Sequence, residues 1–199
     1  VQRLRARSSA VLTGSGTLLA DDPSLNIRLP EAERQPLRVI LDTDLRTPPT
    51  AKTLRLPGST LIFTAVADAV RQAPLRSGGA QIAVVAAVDG GLNLHAVMAE
   101  LGRRECNELQ VECGPTLAGA LLQARLIDQL VIYVAPLLLG DQARGLFQLP
   151  ELTQMRDRWA LELLETRAVG RDWRLTLRPQ YAPAAPPPCH GADQDAQTG

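Results

Sequence analysis

Aromatic side chains are almost missing from this 199-residue chain: two Phe, two Trp and two Tyr, 3% of the total. The core must therefore be aliphatic, and single-stranded nucleic acid, which binds by stacking bases on exposed rings, has little to stack on. Charge of either sign is not in excess, with 21 Lys plus Arg against 21 Asp plus Glu. No global field draws in DNA or an anionic membrane surface. Lysine is nearly absent too. Lys52 is the only one, and the remaining basic residues are Arg, whose planar fork suits phosphate and carboxylate groups. Three cysteines, Cys106, Cys113 and Cys189, are too few and scattered for a disulfide framework, and no pair has zinc-ligand spacing. The longest apolar run, "LVIYVAPLLLG", contains Pro136 and is too short to span a bilayer. No secretory signal opens the sequence, so the expected compartment is the reducing cytoplasm.

What is present is a rhythm. "SAVLTG", "LRVILD", "STLIFTA", "QIAVVAA" and "NELQVE" are apolar runs of strand length. Between them, "DAVRQA", "LNLHAVMAELGRR" and "TLAGALLQARL" carry apolar residues at helical spacing. Continuous apolar strands alternating with amphipathic helices predict a largely parallel, buried sheet with crossover helices. "VQRLRARSS" reads as the last turns of a helix, and "SGTLLADDP" as a turn punctuated by Gly14, Gly16 and Pro23. After Asp128 the pattern changes. "QLVIYVAP" is a strand, and "LELLETRAVGRDWRLTLR" predicts an antiparallel hairpin around Gly170. The folded domain is expected over residues 1–178, and the proline-rich, then polar, stretch 179–199 is expected to be a disordered tail.

Three stretches could bear chemistry. In "LQVECGPTLAGALL", Glu112 precedes a Gly114-Pro115 break where a strand gives way to a helix. Pro115 suits the first helical position, and the amides after it point outward with the positive end of the helix dipole behind them. That is a phosphate-binding arrangement, although the same residues also fit a plain structural helix cap. In "GSGTLLADDPSLNIR", Gly14 and Gly16 permit close backbone approach, Thr17 adds a hydroxyl, and Arg28 follows on an extended segment where it could grip phosphate. Adjacent Asp21 and Asp22 point different ways and are not a paired acid/base device. A Gly/Asp/Pro loop with a solvated Arg explains that stretch equally. In "ILDTDLRTPP", Asp42 and Thr43 lie where a strand ends, at the edge of an α/β crevice or in an ordinary turn. "LLLGDQARGLF" adds a Gly-punctuated loop with Arg144 and little chemistry.

Other signatures are missing. There is no GxxxxGK[ST] loop and no G-x-S-x-G elbow. His95 and His190 lack sequence partners for acid/base work, and Cys113 lacks a base and suits packing. A chain so poor in nucleophiles and metal ligands fits a reaction supplied by a bound cofactor.

Taken in order, "LRARSSAVLTGSGTLLADDPSLNIR", "QPLRVILDTDLRTP" and "VECGPTLAGALLQARLIDQLVIYVAPLLLG" resemble the reductase domain of the bifunctional riboflavin-biosynthesis deaminase/reductase family, over residues 1–178. The resemblance implies a dihydrofolate-reductase-like α/β fold: a mostly parallel mixed sheet flanked by helices, with a C-terminal antiparallel hairpin. It implies NADPH as hydride donor and a phosphorylated pyrimidine, 5-amino-6-(5-phosphoribosylamino)uracil, whose ribosyl group becomes ribityl. By position, Thr17, Asp21 and Thr43 would contact NADP, and Gly114, Pro115, Thr116, Leu117, Ala118, Gly119 and Ala120 would cradle it. Leu25, Arg28 and Glu112 would contact substrate, with Glu112 as the catalytic carboxylate and no metal involved. A homodimer is also implied. So are an upstream strand bearing a substrate-binding lysine and, further upstream, a zinc deaminase domain. Without that strand the fragment is expected to be impaired. Two other functions fit the same residues: reduction of the not-yet-deaminated pyrimidine, and a non-catalytic NADP-binding module.

Overall fold

The computed structural model describes residues 1–30, 32 and 34–181. Contacts divide the chain into two compact units: Val1–Leu126 with Leu139–Glu151, and Ile127–Leu138 with the segment from Leu152 onward.

In the first unit α1 (Gln2–Arg7) leads into β1 (Ala10–Gly14), α2 (Ser15–Asp21) and β2 (Leu37–Leu41). Then come α3 (Lys52–Arg55), β3 (Thr60–Thr64), α4 (Ala69–Ser77) and β4 (Ala80–Val84). A small β5 (Ala87–Val88) and β6 (Gly91–Leu92) ribbon, α5 (Leu94–Arg103), β7 (Leu109–Val111) and α6 (Pro115–Gln123) complete it. Strands β4, β3, β2, β1 and β7 lie side by side in that order, every pair parallel.

Alternation along the strands divides their side chains between two cores. Leu12, Val39, Leu41, Leu61 and Phe63 face one way and pack with Val97 and Leu101 of α5. Ile40 and Ile62 face the other way and pack with Leu18 of α2 and Leu75 of α4. Both faces are covered, which is why these strands read as unbroken apolar runs. Two helices start where a side chain serves the orphan amides: Asp68 accepts from Val70 N at 2.8 Å, and Asn93 accepts from Ala96 N at 3.0 Å.

One charged residue stands in the strands of this sheet. Arg38, in β2, is 1% exposed. Its guanidinium donates to Thr60 Oγ1 and to the carbonyls of Leu56, Pro57 and Gly58, at 2.7–3.2 Å. Burial pushes its pKa below the ordinary arginine value. The side chain acts as an internal clamp on the turn between α3 and β3, with carbonyl oxygens in place of a carboxylate.

The second unit contains β8 (Leu130–Val134), β9 (Ala160–Val169) and β10 (Asp172–Gln180), paired antiparallel in the order β8-β10-β9. The hairpin turns at Gly170, where φ is +62°. Register puts Leu175 beside Ile132, and Leu177 between Leu130 and Leu163, on one face. The other face has Arg174 paired with Glu165, and Arg178 paired with Glu162. The expected hairpin is present, and it pairs with β8 in an antiparallel sheet of its own.

The expected strands and the N-terminal helix α1 are found where the apolar pattern placed them. The turn expected at "SGTLLADDP" is a correction, because residues Ser15–Asp21 are helical. Gly14 sits outside the helix in extended conformation, and burial of Leu18 against the second core stabilises a helix too short to persist alone. Strand β10 runs two residues beyond the expected boundary at 178, to Gln180. Most of the expected tail, 182–199, lies outside the described residues.

Replacing Arg38 with Met would leave the carbonyls of Leu56, Pro57 and Gly58 without their donor and Thr60 Oγ1 without its buried one. The expected cost is about 2–4 kcal/mol in urea-induced unfolding. A midpoint unchanged from wild type would show that the clamp is dispensable.

Candidate functional site

A cleft of about 520 Å³ opens at the carboxyl ends of β1 and β7, lined by Thr17, Asp21, Leu25, Glu112, Gly114 and Arg144 among others. The topology produces it. Strands β1 and β7 are neighbours, so the turn into α2 and the turn into α6 face each other. The approach is tightest at Gly14, where a Cβ would lie 3.3 Å from Leu117 Cδ2; one on Gly114 would make ordinary contact with Thr17 Oγ1, at 3.8 Å.

Glu112 follows the last residue of β7, and its backbone N donates to the carbonyl of Leu12 at 2.9 Å, continuing the ladder. Its carboxylate is held in a fork. Arg5 Nε donates to Oε1 at 2.7 Å and Nη2 donates to Oε2 at 2.6 Å. The third arm of the same guanidinium donates to the carbonyl of Asn26 at 2.8 Å. Arg5 is 9% exposed, so the pair is little screened by water. Next to Asn26, Leu25 is 1% exposed with φ at +49°, a left-handed backbone that a leucine rarely adopts. Arg5 thus links α1, the loop after α2 and β7 at the rim of the cleft.

Helix α6 begins at Pro115 with Gly114 as its cap. Ala118 N already donates to the carbonyl of Gly114 at 3.1 Å, so the helix turn leaves the amides of Thr116 and Leu117 as its open donors. The segment 144–148 lies across this helix. Gln148 N donates to the carbonyl of Pro115 at 3.0 Å, and Thr116 Oγ1 donates to Gln148 Oε1 at 2.8 Å. Gly119 lies directly under it, where a Cβ would be 1.9 Å from the Gln148 carbonyl oxygen.

The structure therefore brings Thr17, Asp21, Leu25, Glu112, Gly114 and Pro115 to one cleft. Thr116 and Gly119 lie beneath the segment bearing Gln148, and Leu117 packs against the first core. Ala118 and Ala120 lie further along α6, outside the cleft lining. Thr43 sits at the end of β2, its carbonyl accepting from Ala65 N and Thr64 Oγ1. Arg28 is exposed, and its backbone N donates to Gln2 Oε1 at 2.8 Å. Neither residue lines the cleft. Of the two adjacent carboxylates, Asp22 is structural: it ends α2 in left-handed conformation, and its Oδ1 accepts from Lys52 N. Asp42 is fully buried, and its Oδ2 accepts from both Thr47 N and Thr47 Oγ1, the turn role that its position allowed. Cys113 lines the cleft, but burial pushes its thiol up to about 11. That agrees with a packing role.

Sequence reasoning missed the role of Arg5. It stood in an N-terminal helix 107 positions from its partner, and nothing local marked it. It also set Arg144 aside as chemically quiet, yet Arg144 lines the cleft.

A model of the RibD C-terminal domain family matches residues 1–175. The riboflavin biosynthesis protein RibD of Escherichia coli is 40% identical over 189 residues, spanning 89% of this chain and 50% of that protein. The Haemophilus influenzae protein of the same name is 42% identical, spanning 90% of this chain and again 50% of its own length. The chain thus spans about half the length of these relatives. A Buchnera aphidicola protein named 5-amino-6-(5-phosphoribosylamino)uracil reductase is 30% identical over 90% of this chain and 91% of its own length. Among solved structures, Acinetobacter baumannii RibD superimposes with a TM-score of 0.78 at 32% identity, covering 90% of this chain and 49% of that one.

Two outcomes follow from the geometry. Arg5→Met leaves the Glu112 carboxylate half-buried and unpaired, and should lower stability by about 3 kcal/mol, with Arg5→Lys intermediate because it keeps charge without the fork; equal unfolding midpoints for all three proteins would contradict the fork. Brief iodoacetamide treatment at pH ~7.5 should alkylate Cys113 far more slowly in the folded than in the unfolded chain, as peptide mapping would show.

Proposed function

The chain belongs to the RibD C-terminal domain family, and on that premise we propose that it is an NADPH-dependent reductase of 5-amino-6-(5-phosphoribosylamino)uracil, acting in riboflavin biosynthesis. The observation that carries this reading is the meeting of Thr17, Asp21, Leu25, Glu112, Gly114 and Pro115 in one cleft, although they come from stretches far apart in sequence. The similarity to a Buchnera reductase along most of both chains supports it.

The cleft lining and the adjoining first turn of α6 carry donors that suit a dinucleotide. The open amides of Thr116 and Leu117 and the Thr17 hydroxyl suit phosphate oxygens. Glycines at 14 and 114 keep the two turns clear of side chains there. When bound, reduced nicotinamide supplies the hydride, and the chain itself supplies placement. Glu112, immobilised by Arg5, offers its remaining lone pairs to the hydroxyls of the substrate sugar. Because Arg5 takes up much of its charge, Glu112 acts chiefly as an oriented acceptor. Its field adds a smaller preference for a ring-opened imine that gains positive character on protonation. Leu25 lines the cleft beside it, and Arg28, outside the lining, is assigned to the substrate on the family pattern. Thr43, at the end of β2, is assigned to the cofactor on the family pattern.

We place the protein in the cytoplasm, in keeping with the free thiols of Cys106 and Cys113, and no helix among the described residues is long and apolar enough to cross a membrane. We also assign it as a homodimer, in keeping with the apolar β8 region where Leu138 is fully exposed; sedimentation of the intact chain tests that.

The decisive assay is loss of reduced-nicotinamide absorbance with the deaminated and the non-deaminated substrate in parallel. Glu112→Gln should lower kcat/KM by roughly 100-fold or more, while NADPH affinity stays near wild type. This variant also faces an amide NH₂ toward Arg5, so it is assayed below its unfolding range. Full turnover by Glu112→Gln would refute the role of the acid. NADPH binding by wild type without turnover of either substrate would leave a binding module.

A further inference from the structure

The sheet of the second unit ends on β9, the longest strand edge left unpaired among the described residues. All ten of its residues are exposed, Leu161, Leu163, Leu164 and Val169 among them. Its free side presents a row of backbone N–H and C=O groups that no strand of the sheet takes up. Edges of this kind are ordinarily blunted by proline, by lysine or by charges that repel a second strand. Strand β9 has neither proline nor lysine, and its one irregularity is a bulge at Leu164, where the register with β10 shifts. The opposite edge differs. Strand β8 has five residues, Leu130–Ile132 are half-buried, and Pro136 follows soon after its end.

The charges on β9 select the partner. Past the bulge, Glu165, Arg167 and Val169 share one face of the strand, and Thr166 and Ala168 share the other. Glu165 is paired with Arg174, yet half of its side chain still faces solvent. Arg167 stands opposite another arginine, Arg174, in β10 and makes no ion pair among the described residues. An acid and a base two positions apart on an open edge are complementary to themselves. When a second β9 runs antiparallel with a two-fold axis at Thr166, the Glu165 of each copy lies opposite the Arg167 of the other, and the contact occurs twice. Shifting the axis by one residue either way sets Glu165 against Glu165 or Arg167 against Arg167, which is repulsive. The same register carries Leu163 and Leu164 of each strand to Ala168 and Val169 of the other, so exposed apolar side chains are covered at both ends.

We propose that β9 is the edge through which two copies of this chain associate: they pair antiparallel about a two-fold axis at Thr166 into one six-stranded sheet, with Glu165 and Arg167 fixing the register. The proposal rests on the homodimer assigned above and names its interface.

The test is sedimentation equilibrium of the 199-residue chain. Glu165→Arg and Arg167→Glu each place like charges at both symmetric contacts, and each alone should raise the dimer Kd by roughly a hundredfold or more. Arg167→Gln, which removes the attraction without adding repulsion, should fall between Arg167→Glu and wild type. Mixed in equal amounts, the two charge-reversed chains should recover dimers, because both contacts between unlike chains again join opposite charges. A strand merely damaged by substitution gives no such recovery. Wild-type association by both charge reversals overturns the proposal and places the dimer contact elsewhere. A mixture that associates no better than its components overturns it too. If the wild-type chain sediments as a monomer, the proposal fails together with the homodimer, and turnover of substrate by that monomer leaves the reductase reading standing.

Discussion

The site depends on one charged contact, the fork between Arg5 and Glu112. A carboxylate at the end of a strand swings freely unless something holds both oxygens, and here a single guanidinium does so while donating its third arm to the Asn26 carbonyl. Three segments are thereby tied together at one point: the helix before β1, the loop after α2 and the end of β7. The left-handed backbone at Leu25 lies next to this knot, and its burial shows that the surroundings impose it.

Around that contact the fold supplies geometry and little reactivity. Among the described residues no three His, Cys, Asp or Glu side chains gather as metal ligands, and His95 is exposed on α5. The cleft thiol, at Cys113, is held protonated by burial. What the chain offers is placed donors: amides at the start of α6, a hydroxyl at Thr17 and Arg144 in the cleft lining. A parallel sheet produces this naturally, because neighbouring strands deliver their following turns to the same edge. The charges buried elsewhere are structural: Arg38 donates to nearby carbonyls, and Asp42 holds the Thr47 turn through Oδ2, while its Oδ1 has no hydrogen-bond partner among the described residues.

Several elements were legible in the residues because the forces that form them are local or periodic. Apolar runs marked the strands, helical spacing marked α5, and the Gly114-Pro115 break marked the start of α6. Helix α2 was not legible, since its glycines resemble turn formers and its stability comes from Leu18 reaching a core assembled by other strands. Arg38 looked like a polar interruption in a strand. Only the turn at 56–58, folded back over it, reveals a clamp.

By itself the sequence determined the alternation of strand and helix, the aliphatic character of both cores, the hairpin around Gly170, and the combination of acid, glycine and proline at the cleft. Those properties depend on neighbours a few residues apart. The tertiary structure alone decided that Arg5 would hold Glu112, that Arg144 would line the cleft with it, and that Thr43 and Arg28 would stand outside its lining. These are meetings between positions tens to more than a hundred residues apart, set by strand order and by the close approach that glycine allows, and no local pattern encodes them.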